Sequence, residues 1–575
     1  SQALDANTTA DNNTAIGYQA LTDNTTGTQN IAVGTQALQN NTTGDYNVAV
    51  GYRPLDANTS GDANTAVGYA ALYTNTTGSN NSAFGYSALL YSTTAANNCA
   101  FGYNSLGANT EGYNNSAFGA FSLLANTTGA FNTAVGKDAL GANTTANNNT
   151  AVGHDAMTAN TTGLNNTAVG ANALDANTTG QESVAVGTYA LTASNGSFNT
   201  ALGYNAMAAN TTGTNNVAVG YAALDANTTA GNNVAIGYNA LTANTTGAQN
   251  IAVGQGAMGS NTTGTDNCAI GHNAMGSATN TGSARNNAFG YEALQDVTTG
   301  SQNNAIGFQA GANLTTGSYN QIMGAEAMEN STTANYCVAI GHDTLRQNNA
   351  DNNVAVGYQS LASNTTGVDN VAVGHGTLDA NTTGTYNVAV GKGALTNLTT
   401  TSNNVAIGRV AMEAATTAYN NVAVGTRSLD ACQSGGYNTA VGDGALSAYT
   451  GSESTACGAN ALANCSTGAD NTGVGVNALK DTTTGYQCTA IGDDALRSNT
   501  TGNSNTAVGA KSLDSLTTGE QNTAVGREVF QTLVQGEKNV AIGNYNFYYA
   551  TGSYNTGIGY AVGYEVTTGQ NNTFL

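Results

Sequence analysis

The sequence predicts an all-β fold, a parallel β-solenoid (β-roll) of about 33 tandem coils, each of about 17 residues. Three observations carry this reading. An Ala-apolar-Gly triplet recurs from Gly17 to Gly559 and supplies 33 anchor glycines. Of the 32 intervals between them, 27 equal the step from Gly17 to Gly34, four are shorter by one and one is longer by two. The apolar segments are only four or five residues long and lie between Asn, Thr and Gly. Such segments are too short for paired helices or a propeller blade, and they suit short strands joined by turns.

The consensus repeat reads N-T-A-V-G-Y-x-A-L-x-A-N-T-T-G-x-x. The residue before the anchor is apolar in every repeat, as in Ile16, Val33, Phe84, Leu202, Met323 and Cys457. The residue two before it is Ala except at Ile322, Gly473 and Gly557. Four residues after the anchor stands Leu, Met or Phe, except at Gly311 and Gly563. Six of the seven methionines fall in that row, where they read as Leu substitutes filling a core. Asn-Thr-Thr-Gly, as in Asn24 to Gly27, marks the turn, and the length variation falls in this half of the repeat. Each coil is expected to hold two short strands and to stack on the next at ~4.8 Å. Thirty-three coils would then span roughly 160 Å. Residues 1–527 read as regular coils, and 528–575 as less regular ones, with Phe530, Phe547 and Tyr548 and with Gly563 where Leu is expected. Both ends fall inside a repeat and neither resembles a cap, so a longer parent chain is expected.

Side chains alternate across a strand. In T-A-V-G-Y, Ala and Gly therefore face one way and Thr, Val and Tyr the other. The Tyr row also holds Lys137, His154, Arg409, Asp493 and Arg527, so it must reach solvent. The Val row is then expected on the same outer face, as an apolar stripe that needs a partner. Another copy of the chain in closed symmetry is the simplest partner. The alternative is a bend at the Gly that turns Val inward and leaves a monomer.

Composition narrows the function. Of 575 residues only 8% are charged, the net charge is −22, and 40% are hydrophobic. Ordinary enzymes need more ionisable surface, and a basic nucleic-acid groove is implausible with 12 Lys plus Arg. Collagen and highly charged disorder do not fit, and no apolar run is long enough to cross a membrane. The four His (His154, His272, His342, His375) all occupy the Tyr row, where His342 and His375 lie two coils apart. They read as solvated surface. Cys432 and Cys465 share a row two coils apart, too far for a disulfide. With Cys99, Cys268, Cys337, Cys457 and Cys488 they read as free thiols, which fit assembly in a reducing compartment. Asn7, Asn24, Asn75, Asn126 and Asn244 lie in N-x-T sequons. Glycans one coil apart would crowd, so a stacked Asn ladder is the expected arrangement. Asp5, Asp56, Asp175, Asp225, Asp379, Asp430 and Asp514 recur in one row but never in adjacent coils, so no calcium ladder is expected. No residue is assigned to catalysis, a cofactor or a metal.

Asn132 to Leu140 (N-T-A-V-G-K-D-A-L) and Asn233 to Leu241 (N-V-A-I-G-Y-N-A-L) resemble the repeats of trimeric autotransporter adhesin heads of the YadA type. They are closer still to bacteriophage tail-fibre repeats. The resemblance spans nearly the whole chain and implies a parallel homotrimer with a small-residue interior and an apolar trimer core. The adhesin coil is shorter and lacks the Asn-Thr-Thr-Gly loop. The expected function is a non-enzymatic shaft of a phage tail fibre or similar attachment fibre, extracellular or on a virion surface. Its expected partners are itself and a cell-surface glycan or receptor. The alternatives are a bacterial filament or surface adhesin and, because Thr rows run along the coils, an ice-binding solenoid.

Overall fold

A computed structural model describes residues 2–277 and 282–575. The chain forms two compact units, residues 1–285 and 286–575. Each is a parallel β-solenoid, and the two together comprise about 33 turns, each one sequence repeat in length. The first unit carries β1 (Thr14–Ile16) to β16 (Cys268–Ile270). The second carries β17 (Asn287–Phe289) to β34 (Thr573–Phe574). Within each unit successive strands pair in parallel, residue on residue. Ile31, Ala32 and Val33 of β2 lie over Thr14, Ala15 and Ile16 of β1, and the same register joins β33 to β34 at Thr556 and Thr573. The stretch 528–575 continues this ladder through β32 (Val540–Ile542), β33 (Thr556–Ile558) and β34.

Each coil has one strand of three residues, where two were expected. The reason is visible in the backbone. After the anchor, two residues out of three turn left-handed, as at Gln19 (φ 54°) and Leu21 (φ 53°), and a third does so before the strand, as at Gln29 (φ 59°). This geometry breaks any second strand, although single hydrogen bonds still tie the coils there. A branched residue such as Leu is strained at positive φ. It is held because its side chain is fully buried and its N–H is used: Leu21 donates to the Ala37 carbonyl at 3.0 Å and Leu38 to that of Pro54 at 2.9 Å. Burying one such Leu contributes about 1.5–3 kcal/mol, enough to offset the strain. The anchor glycine is required twice over. Gly102 has φ +143°, and a Cβ there would lie 2.4 Å from the Gly119 carbonyl oxygen of the next coil.

The interior consists of the middle strand residue (Ala32, Ala49), the Ala-Leu pair (Ala37, Leu38) and two rows of asparagine, all fully buried. In the turn row, Asn41 donates its amide to Asn24 Oδ1, Asn58 to Asn41 and Asn75 to Asn58, each at 2.8 Å. The same amide of Asn41 reaches the Gly44 carbonyl at 3.0 Å. The expected turn ladder is therefore present. A second ladder, which the sequence reading missed, runs just before the strands. Asn47 gives its backbone N–H to Asn30 Oδ1 at 2.8 Å and its side-chain amide to the Gly61 carbonyl at 2.9 Å. Both rows satisfy turn groups that would otherwise be buried and unpaired. In the second unit the turn row also holds Val297, Leu314, Leu398, Leu516 and Leu533, still fully buried, which confirms that the row points inward. Tyr449 takes the same position. Its hydroxyl donates to the Ser452 carbonyl at 2.6 Å and accepts from Ser454 Oγ at 3.0 Å.

The exceptions in the sequence rows compensate each other. Gly311 lacks the Leu of its row, and Ile322, one coil on, fills the space. A Cβ on Gly311 would lie 2.8 Å from Ile322 Cδ1. Phe547 stacks on Phe530 in the core at 5.3 Å, and room for its ring comes from Gly557 and Gly563, whose Cβ atoms would each come within 2.5 Å of it. Gly473 has no such neighbour: a Cβ would meet the Ala478 carbonyl oxygen at 3.2 Å and Leu462 Cγ at 3.4 Å. Gly557→Ala should therefore cost about 1–3 kcal/mol by overpacking. Gly473→Ala, which restores the repeat, should be neutral or stabilising by up to about 1 kcal/mol. Equal effects in urea unfolding would contradict this packing. Asn143 both donates to Asn126 at 2.9 Å and accepts from Asn160 at 3.0 Å. Asn143→Ala should cost about 1–3 kcal/mol and raise hydrogen exchange in its own and the adjacent turns. Asn143→Ser, the residue used at Ser92 and Ser194, should cost less.

Candidate functional site

The surface with functional potential is the outer face of the strands. From β2 to β33 the middle residue is buried and the first and third are exposed or half-exposed. The Val row thus faces outward, as the alternation predicts: Ile16 is 62% exposed, Leu202 47% and Met323 49%. Among the described residues not one strand contains a charged side chain. On each unit this makes an uncharged band, while the Asp, Glu, Lys, Arg and His side chains lie on the turns.

Aromatic side chains reinforce the band in places. Phe84, Phe101 and Phe118 stack in the Val row with ring centroids 4.4 and 5.1 Å apart. In the row after the anchor, Tyr52, Tyr69, Tyr86 and Tyr103 stack at 5.1, 4.7 and 5.3 Å. Their ring faces are covered by one another, and what they present to solvent is a file of ring edges and phenol groups. Arg53 lies over the Tyr73 ring at 4.7 Å and pairs with the buried Asp56 at 2.8 Å.

The candidate chemical residues are dispersed. Tyr358 stacks between His342 and His375, at 5.6 and 5.2 Å from them. His154 and His342 each lie beside the following aspartate, at 2.9 and 3.0 Å. Among the described residues no three His, Cys, Asp or Glu gather as a metal site. Of the row aspartates, burial pushes Asp225, Asp379, Asp430 and Asp514 above the usual carboxylate range, and Asp514 lies 3.3 Å from Arg497. Asn24, Asn75, Asn126 and Asn244 are fully buried with their amides bonded, so the folded chain offers no acceptor nitrogen at these sequons. Asn7 is half-exposed.

All seven cysteines are free thiols. Cys337 and Cys488 replace asparagine in the row before the strand, and Cys432 and Cys465 replace it in the turn row, with Tyr449 between them. Burial pushes Cys337 and Cys488 up to about 11 and Cys465 to about 12, which makes them poor nucleophiles. Cys457, in the Val row, is exposed.

No protein-family model and no curated protein sequence matches the chain.

These thiols generate two expectations. In the folded single chain an aromatic disulfide reagent should react fast with Cys457 and more slowly with the half-buried Cys99 and Cys268, while the four buried thiols react only after denaturation. The folded chain holds these buried protons above the ordinary thiol value of 9.0, where the unfolded chain releases them. Their contribution is therefore intact below pH 9 and is lost as pH rises from there towards 11–12. Melting followed across that window should show the decline, and Cys465→Ala should reduce its slope.

Proposed function

We propose that the chain is a non-enzymatic structural protein, the shaft of an attachment fibre of the phage tail-fibre kind, in which copies associate along the outer strand face. The observation that carries the reading is the uncharged, apolar band. A chain of net charge −22 repels its own copies wherever acidic groups meet, and the strand face holds none. A second copy has the same coil spacing, so it matches a row of side chains over many coils where an unrelated surface would match only a few. A closed parallel trimer is the form proposed. A cell-surface glycan or receptor as partner, and a place on a virion or cell surface, belong to the same proposal.

A bacterial surface filament or adhesin would use the same shaft and is distinguished by what it is attached to. Ice binding has less support. In most turns the first Thr donates its hydroxyl to the next coil, as Thr25 does to the Thr42 carbonyl and Thr42 to that of Thr59, both at 2.9 Å. That row spends its hydroxyl protons on the next coil and keeps only lone pairs for water.

Light scattering should give three times the chain mass of 57.4 kDa. A monomer would overturn the self-association. Val390→Asp with Ile407→Asp, which puts charge on adjacent coils of the band, should release monomers while circular dichroism and melting stay close to the parent.

A further inference from the structure

An association along identical coils has a difficulty of its own. A slip by one coil, ~4.8 Å, replaces each row by nearly the same row. Something must fix the register. The first residue of the strand is Thr, Val, Ile, Ser or Cys in all but three of the 34 strands among the described residues, and those three are consecutive: Asn287, Asn304 and Gln321. Asn287 donates its amide to Asn304 Oδ1 at 2.6 Å, and Asn304 to Gln321 Oε1 at 2.9 Å. Within the row Asn287 uses one proton, Gln321 one lone pair and Asn304 one of each, and all three keep others for a partner. Beside them Phe289, Ile306, Met323 and Ile340 form an apolar wall, and between the two rows lies a recess of about 700 Å³. This height of the second unit therefore differs from its neighbours in both polarity and shape.

We infer that the amide row Asn287–Asn304–Gln321 is the register key of a parallel self-assembly, a reading that rests on the association proposed above. In copies related by rotation about an axis along the coils, equivalent residues lie at one height. In register, amides meet amides. A slip of one coil sets Gln321 against Val338. A slip of three sets Asn287, Asn304 and Gln321 against Val338, Val354 and Val371. An amide buried against an aliphatic side chain loses its partners, and that penalty exceeds what the in-register bond gains. One polar residue in an otherwise apolar seam sets the register of coiled coils in the same way.

The label must stand off the strand face, and Thr383 is an exposed turn residue of the same unit. The experiment attaches a nitroxide to Thr383→Cys in a Cys99→Ser, Cys268→Ser, Cys457→Val background, Ser and Val being residues the same rows use at Ser82 and Val441. The four buried cysteines stay unlabelled in the folded protein. Dipolar electron paramagnetic resonance then reads the distance between copies. The parent should give one narrow distance. Asn287→Val with Asn304→Val and Gln321→Val installs the residue found in the next six coils at this row, Val338 to Val422, so the fold is kept. That variant should assemble to the same mass by light scattering, with distances spread to longer values in steps of one coil. An unchanged narrow distance in the valine variant would overturn the register key and leave the association standing. A broad distribution in the parent would do the same. A monomeric mass for the parent would overturn the association, and the key with it.

Discussion

The closeness of one coil to the next governs the rest of the structure. At the anchor the carbonyl of one glycine lies over the next glycine, and a Cβ would come within 2.4 Å of it at Gly102. Coils this close can be built only if each is nearly the same shape as the one beside it. The constancy of the repeat length follows from that condition. So does the thin interior: one Ala in the strand, an Ala-Leu pair after it, and side chains that stack on their own copies.

The same closeness explains why asparagine fills places where a globular core would have Leu or Val. A coil that turns three corners within a single short repeat leaves many backbone groups without a partner in its own coil. Asn offers both a donor and an acceptor. Stacked at one strand spacing it can serve the turn and its neighbour together, as Asn41 does with Gly44 and Asn24. A buried amide is costly alone and inexpensive in a row. Among the residues that break the row, Leu314 is wholly apolar and Tyr449 brings its own partner in Ser454.

Because packing is settled coil by coil, the outer face is free to vary without endangering the fold. Phe, Met, Cys and Leu all appear in the Val row, and Lys, Arg, His and Asp in the Tyr row. Charge is kept off the strands and placed on turns, where it opposes clumping. An assembly of such coils would take its cohesion from the repeated strand face and its specificity from the few positions that depart from the repeat.

The sequence by itself determined the period, the anchor, the inward Ala and the outward Tyr, because each follows from repetition and from strand alternation; it left the Val row open to a bend at the glycine, and the structure placed that row outward. The sequence also pointed to the turn ladder, since N-x-T spaced one coil apart leaves glycans no room. It did not show that the second apolar segment, Ala-Leu, is no strand. Leu at φ near +53° contradicts local preference, and only burial against the neighbouring coils holds it there. Nor did it show the ladder before the strand: an Asn beside Thr-Ala-Val reads as a turn residue until the stacked coil supplies its partner. The pairing of Gly311 with Ile322, and of Phe547 with Gly557 and Gly563, was equally hidden. Ile322 and Gly557 stand in the strand and their partners in the Leu row, while Gly563 is the next member of Phe547's own row, and all of them meet only when one coil lies on the next. Self-complementary rows are legible from repetition, and contacts between unlike rows exist only in the folded stack.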